Sequence, residues 1–380
     1  MGPNLILDKS ALQALSQGEI YRLAAHYNMV TCPILLIEIL GDLKKGTTGG
    51  GLALEQVQHL ADKVLCDSFH PPFYLPLVWQ DLAGRRVPMT GQVPMVGGKE
   101  VVGKGGQKGI VFAPTPENEA LLRWRDGLFN EGERALGRRW RESARALDLE
   151  GFQRRNRKTA DWHRFKNLDN LHRYVWWITH PKVRSEAQSV LTSLLDNFEV
   201  PVRLRDLILR RWQRLGWPDL DQFAPYAYHC FKVNLVFQYG VITGLITTRP
   251  TNRVDIEYMY YVPFCDVFCS RDQLHKELSV PFLRTDQSFA DGDELKSDLR
   301  HLIHWWKRLD AEQQRNWSYE YGSYPPENQD SLTYRLWRRH LMPWRPGMGN
   351  LAGKMSQEEQ EELLGHIREL VDGGHAPADG

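Results

Sequence analysis

Four acidic residues stand out because of the residues around them. Asp8 closes the apolar run NLILD, Glu38 lies inside PILLIEILGDL, Asp255 begins DIEYMYYV, and Asp272 follows DVFCS. Glu38 has only Leu and Ile as near neighbours, and a buried unpaired Glu is costly. Four carboxylates at one site repel one another and their pKa values rise unless a cation binds, and Mg²⁺ or Mn²⁺ prefers such oxygen ligands. The acids therefore predict a site for Mg²⁺ or Mn²⁺.

The surrounding segments predict the elements that position these acids. NLILD and NMVTC each predict a strand, KSALQALSQGEIYRLAAHY predicts two helices divided near Gly18, and PILLIEILGDL predicts a helix with Pro33 in its first turn. DVFCS predicts a third strand. This alternation favours an α/β fold with a central parallel sheet. The carboxyl ends of parallel strands share one edge, where ligands bind, so the acids are expected to face one cleft.

The order and context of these acids resemble the PIN-domain nuclease family. The matching residues are Asp8 in LILDKSAL, Glu38 in TCPILLIEIL, Asp255 in NRVDIEYM and Asp272 in VFCSRDQL, with Ser270 at the family's Ser/Thr-x-Asp position. The resemblance covers roughly residues 4–43 and 226–280. It departs from small members of the family in the long insertion between the second and third acids.

The resemblance implies a three-layer PIN-like fold and a metal-dependent phosphodiesterase that most often cleaves RNA. Asp8, Glu38, Asp255 and Asp272 would bind the metal and be catalytic, Asp266 would be a further metal ligand or support one, and Ser270 would support the ligands. The expected organisation is a nuclease core split between 1–43 and 226–285, a Gly-rich and helical insertion at 44–225, and a helical extension with a frayed tail at 286–380.

A basic segment of the insertion is a candidate nucleic-acid surface. Residues 121–173 contain 14 Lys and Arg against eight Asp and Glu, a net of +6, in a chain whose formal net charge is +1. Cations interleaved with aromatic residues suit single-stranded nucleic acid. The candidates to bind phosphates are Arg154, Arg155, Arg157 and Lys158, with Trp162 to stack on a base. An amphipathic helix with a solvated charged face is the alternative.

Other interpretations of these motifs remain open. Asp8 and Asp255 could be helix N-caps. Cys265, Cys269 and His275 could suggest zinc, but no second Cys/His pair lies at finger spacing. GKEVVGKG differs from a phosphate-binding loop because Gly105 replaces the hydroxyl residue. The chain could also be a catalytically weak nucleic-acid-binding module of a larger assembly, or a DNA-cleaving nuclease in defence against foreign nucleic acid.

Composition bounds the class of protein more than its function. The 380 residues are 42% hydrophobic and 25% charged, as in ordinary globular proteins. Five widely spaced Cys favour a reducing, cytoplasmic setting over a disulfide framework. The start carries no signal-peptide pattern, and no apolar run reaches the roughly 18 residues of a membrane span. A protein partner or an oligomer is compatible with the sequence.

Overall fold

The chain forms an α/β structure in which helices greatly outnumber strands. A computed structural model describes residues 2–44, 50–64, 68–95, 98–102, 108–112, 115–157 and 165–345. The strands are β1 Asn4–Leu7, β2 Asn28–Val30, β3 Ser68–Phe69, β4 Gly98–Val102, β5 Lys108–Phe112, β6 Val267–Ser270 and β7 Ser288–Asp291. The helices before the last third of the chain are α1 Lys9–Ala14, α2 Gln17–His26, α3 Pro33–Gly41, α4 Gly50–Val64, α5 Tyr74–Leu82, α6 Pro116–Arg125, α7 Glu131–Ala146, α8 Leu149–Asn156, α9 Leu168–Thr179, α10 Arg184–Asn197, α11 Val202–Arg214 and α12 Leu220–Phe223. The remaining helices are α13 Pro225–Thr243, α14 Asn252–Glu257, α15 Gln273–Phe282, α16 Gly292–Arg308, α17 Ala311–Glu320 and α18 Leu332–His340.

The central sheet has five parallel strands. Their order is β3-β2-β1-β6-β7, so the chain moves outward in one direction from β1 and, after the insertion, in the other direction from β6. The connections therefore diverge between β1 and β6, which pair through Leu5 with Val267 and Leu7 with Cys269. Ligands of parallel α/β sheets bind outside the carboxyl ends of the strands at such a switch point.

Capping residues determine where the first helices begin. Asp8 ends β1 and accepts a hydrogen bond from Ala11 N as the N-cap of α1. The predicted break at Gly18 is wrong: the chain breaks at Leu15 and Ser16, and Gly18 lies inside α2. Ser16 and Glu19 form a reciprocal capping box that satisfies two backbone donors, and this signal outweighs the weak helix propensity of glycine.

The inserted region shares the core of the sheet. One contiguous cluster of buried side chains includes Ile6 and Phe268 from the sheet together with Leu121, Leu171 and Ile208 from the insertion. Helix α13 is buried around most of its circumference and packs against α5, α8 and α9. The sheet also extends beyond 1–43 and 226–285, since β3 lies in the insertion and β7 follows residue 285.

The remaining expected elements fall at the periphery. Strands β4 and β5 pair antiparallel. The region after β7 contains the helices α16, α17 and α18, the last of which ends at His340, whereas the expected frayed tail lies outside the described residues. Of the helices in the described ranges, none has the length and apolar character to cross a lipid bilayer. The four described cysteines, Cys32, Cys230, Cys265 and Cys269, are buried free thiols.

Candidate functional site

A cleft of about 420 Å³ opens at the carboxyl ends of β1 and β6. Its lining includes all four acids singled out by the sequence, Asp8, Glu38, Asp255 and Asp272. They come from four separate segments: the end of β1, the middle of α3, the first turns of α14 and the N-cap of α15. The switch point of the sheet therefore brings together acids that are more than 200 residues apart in sequence.

Asp8 is the most buried of these four acids, with 3% of its surface exposed. Its Oδ1 accepts from Ala11 N at 2.8 Å, and its Oδ2 accepts from the Ser270 hydroxyl at 2.8 Å. Ser10 also donates to this carboxylate. Burial raises the pKa of Asp8, but the hydrogen bond and charge of His275, with the backbone and hydroxyl donors, outweigh burial and lower it. The pKa of Asp8 thus lies below its ordinary value, and several donors orient its carboxylate.

His275 is the main residue of the site that the sequence did not assign to it. Its ring is 1% exposed, Nδ1 lies 2.9 Å from Ser270 Oγ and 3.2 Å from Asp8 Oδ2, and Nε2 donates to the backbone oxygen of Asp255 at 2.8 Å. Burial lowers the pKa of His275, but the hydrogen bond and charge of Asp8 and the charge of Asp255 raise it to about 9. Both ring nitrogens face acceptors, as an imidazolium requires. The spacing Asp272-x-x-His275 within one helical turn was the available signal.

Glu38 and Asp255 carry negative charge that the protein does not fully compensate. Burial, together with the charges of Asp255 and Asp8, raises the pKa of Glu38 to about 7, although Lys9 and a hydrogen bond from the Tyr258 hydroxyl oppose the rise. Burial also raises the pKa of Asp255 to about 6, and the charges of Asp272 and Asp8 add to this effect. A cation placed beside carboxylates with raised pKa values would stabilise their ionised form.

A Glu38→Gln variant is expected to be more stable than the wild type above pH 7 in a buffer with a chelator. The pKa of Glu38 in the folded state is above its ordinary value of 4.5, so wild-type stability falls as pH rises from about 4.5 to 7. Glutamine removes this fall and can still accept from Tyr258. The expected difference is close to zero at pH 4.5 and grows to at most about 3 kcal/mol at pH 8.

Urea unfolding at both pH values measures this difference. Glu55→Gln is the matched control, because Glu55 is an exposed residue of α4 and its replacement is expected to change nothing. A Glu38→Gln variant that is less stable than the wild type at pH 8 would show that Glu38 is a structural partner rather than a strained carboxylate.

Asp272 and Asp266, at the two ends of β6, have different environments. Asp272 caps α15, with its Oδ1 accepting from Leu274 N at 2.7 Å, and lines the cleft. Asp266 precedes the strand and accepts from Asn4 N at 2.8 Å, where β1 begins. The length of the strand, roughly 10 Å, separates it from the cleft. Asp266 therefore does not belong to this cleft, because it lies at the amino end of β6 whereas Asp272 follows the carboxyl end of the same strand.

The insertion supplies the basic side of the cleft, but through helix α7 and not through the predicted arginines. Trp140, Arg141 and Arg145 of α7 line it, as does Arg249. Arg141 and Lys9 pair with the fully buried Asp42 at 3.2 and 2.7 Å. Arg145 and Arg249 are exposed, and neither has an ion-pair partner among the described residues.

The predicted nucleic-acid residues lie elsewhere. Arg154, Arg155 and Arg157 are exposed at the end of α8 and do not line the cleft, and Arg155 pairs with Asp148 at 3.4 Å. The basic segment 121–173 contributes to the lining of the cleft through α7. This helix can approach α3 closely because Gly41 and Gly137 lie at the contact between the two helices. Lys158 and Trp162 lie outside the described residues.

The four acids share the cleft without converging on one point. In the described ranges, no three His, Cys, Asp or Glu side chains lie close enough together to form a metal-binding group as they stand. Comparisons with models of protein families, with curated proteins and with solved structures gave no match for this chain.

Proposed function

We propose that the chain is a metal-dependent phosphodiesterase with a three-layer PIN-like core, and that it cleaves single-stranded RNA at this cleft. One observation carries the proposal. Asp8, Glu38, Asp255 and Asp272, the acids of the resemblance, line a single cleft at the switch point of the sheet although they come from four separate segments. A structural role for each acid alone would not require them to share one cleft.

The donor set fits Mg²⁺ or Mn²⁺. All four side chains offer carboxylate oxygens, which these hard cations prefer to nitrogen or sulfur. The raised pKa values of Glu38 and Asp255, caused first by burial and then by neighbouring carboxylates, support a site that favours added positive charge. A divalent cation bound there would generate a nucleophile from water and stabilise charge on the phosphate.

The chain's own residues would position the acids and the substrate. Ser270 and His275 fix the orientation of Asp8, and Tyr258 fixes that of Glu38. Arg145 and Arg249, exposed on the cleft and free of ion pairs within the described ranges, would bind phosphates on either side of the cleaved bond. Trp140 presents an aromatic side chain to the same cleft, where a base could stack.

Cleavage of a labelled single-stranded RNA in the presence of Mn²⁺ tests the proposal. The wild type is expected to cleave, a chelator to stop it, and Asp255→Asn to reduce cleavage by at least about a hundredfold, since a charged ligand is lost. Asp266→Asn is the matched control, because it removes the same charge at the other edge of the sheet. The same strand as DNA tests the choice of sugar, which phosphate and metal contacts do not read.

Contrary results would be clear in this assay. Equal cleavage by the wild type and Asp255→Asn would show that the cleft does not take part in the reaction. Loss of cleavage with Asp266→Asn and not with Asp255→Asn would place the chemistry at the opposite edge of the sheet.

A specific observation favours a second candidate, a nucleic-acid-binding module with weak or no catalysis. Asp8 already accepts from Ala11 N, Ser10, Ser270 and His275, and the acids do not converge among the described residues. A carboxylate with this many protein donors has less capacity left for a metal. In the assay above, this candidate predicts binding of RNA by the wild type without metal-dependent cleavage.

A further inference from the structure

A second groove lies on the helical part of the molecule, away from the carboxylate cleft. It has a volume of about 670 Å³ and its lining includes Trp176, His180, Lys182, Arg184, Trp217 and Asp219. Trp176 also lines a neighbouring cavity with Pro263 and Gln287, which precede β6 and β7. The groove is thus on the side where these strands begin, whereas the carboxylates lie where the strands end.

Trp176 is built as an aromatic platform. Half of its surface is exposed, and its ring stacks on that of His180 with centroids 4.4 Å apart and planes at 24°. His180 is fixed in turn, since Nδ1 lies 2.8 Å from the backbone oxygen of Trp176 and Nε2 lies 3.4 Å from an oxygen of Asp221. One face of the indole is therefore covered by His180, while half of the residue's surface stays exposed where it lines the groove.

Trp217 is the second aromatic wall, and its backbone is strained. Its φ is +62°, a left-handed conformation that bulky residues rarely adopt, and it follows Gly216 at φ +82°. The edge of its ring packs on Trp212, whose Nε1 donates to Pro218 O at 2.8 Å. This arrangement orients the indole into the groove, where the Arg184 guanidinium lies 3.3 Å from the ring centroid.

The charges around the groove favour an anion. Lys182 and Arg184 line it against one acid, Asp219. Helix α11, which leads directly to Gly216 and Trp217, carries exposed Arg210 and Arg214 one turn apart. Cationic side chains beside the exposed indole of Trp176 match the phosphates and bases of a single strand, and neither an apolar peptide nor a duplex with buried base faces offers both features.

We propose that this groove binds single-stranded nucleic acid, with one base on the open face of Trp176 and adjacent phosphates on Lys182 and Arg184. The site is separate from the carboxylate cleft and requires no metal or cleavage. The nature of the ligand rests on the proposed function, since a nuclease of single strands needs contacts that hold the strand beyond the cleaved bond.

Fluorescence anisotropy of a labelled single-stranded 20-mer RNA, measured in a chelator so that no cleavage occurs, tests strand binding apart from cleavage, and the variants of Trp176 isolate the contribution of the groove. Trp176→Ala is expected to bind between about fivefold and a hundredfold more weakly than the wild type, the loss of one stacked base. Trp177→Ala is the matched control: Trp177 is the next residue and 67% exposed, but it does not line the groove. Trp176→Phe keeps an aromatic face and should restore part of the affinity.

Each other outcome overturns the assignment. Equal binding by Trp176→Ala and Trp177→Ala would show that no base stacks on Trp176. Absence of binding by the wild type would show that the groove does not bind a single strand. Uridine monophosphate that displaces the RNA at the same concentration as unlabelled RNA would make the ligand a free nucleotide instead. Because the chelator prevents cleavage, failure of the proposed cleavage would leave the comparison of Trp176→Ala with Trp177→Ala unchanged.

Discussion

An Asp272→Asn variant is expected to lose metal-dependent cleavage by at least about a hundredfold while it folds as stably as the wild type. Asparagine keeps the oxygen that accepts from Leu274 N and so preserves the cap of α15. It removes one negative charge from a cleft in which the carboxylates already repel one another. Stability in a chelator should therefore stay level or rise, in contrast to the ~3–5 kcal/mol lost when a buried ion pair loses a partner.

Thermal melts with and without Mn²⁺, beside a cleavage assay, measure both effects. Mn²⁺ should raise the melting temperature of the wild type more than that of Asp272→Asn, because a ligand that binds only the folded state stabilises it. Asp291→Asn is the matched control, since Asp291 also ends a strand and caps the next helix but does not line the cleft. An Asp272→Asn protein that cleaves normally, or melts much lower in chelator, would make Asp272 a structural cap alone.

Replacing His275 by Leu is expected to cost ~3–5 kcal/mol of stability near pH 7, the largest effect on folding at this site. The change leaves the buried Asp8 carboxylate without its cationic partner. The pKa of His275 is raised to about 9 in the folded protein, above its ordinary 6.5. Its contribution is therefore complete below pH 6.5 and is lost as pH rises through 9.

Urea unfolding between pH 6 and 10 checks this prediction. The wild type should lose stability between pH 6.5 and 9, and His275→Leu should lack that part of the loss. His229→Leu is the control, because His229 is also buried, its ring forms a hydrogen bond with Met259 O, and burial lowers its pKa to about 3. A His275→Leu protein as stable as the wild type at pH 7 would mean that Asp8 does not depend on the imidazolium.

The sequence predicted the acids of the cleft because each follows a simple local rule. Asp8 and Asp272 come directly after short apolar strands, and parallel strands bring such positions to one edge. Glu38 was recognisable because burying an unpaired carboxylate in an otherwise apolar helix is costly, which indicates a role other than packing. Ser270, which is buried and donates to Asp8, was predicted from the Ser/Thr-x-Asp motif that also contains Asp272.

Tertiary contacts determined what the sequence could not predict. Strands β3 and β7 are two and four residues long, too short to show a period, and only their neighbours in the sheet define them. His275 looks like an ordinary helical residue until Asp8, which is 267 positions away, lies beside it. The contribution of α7 to the cleft depends on its packing against α3, so net charge alone did not show which arginines line the cleft.

Titration of the wild type with Mn²⁺ by isothermal calorimetry, in the absence of nucleic acid, is the most direct test of a cation site in the cleft. Saturable binding is expected for the wild type and for Asp266→Asn, whose substituted residue lies at the other edge of the sheet. Binding by Asp255→Asn should be at least about tenfold weaker. No binding by the wild type, or equal binding by Asp255→Asn, would contradict the assignment of these four carboxylates to a metal.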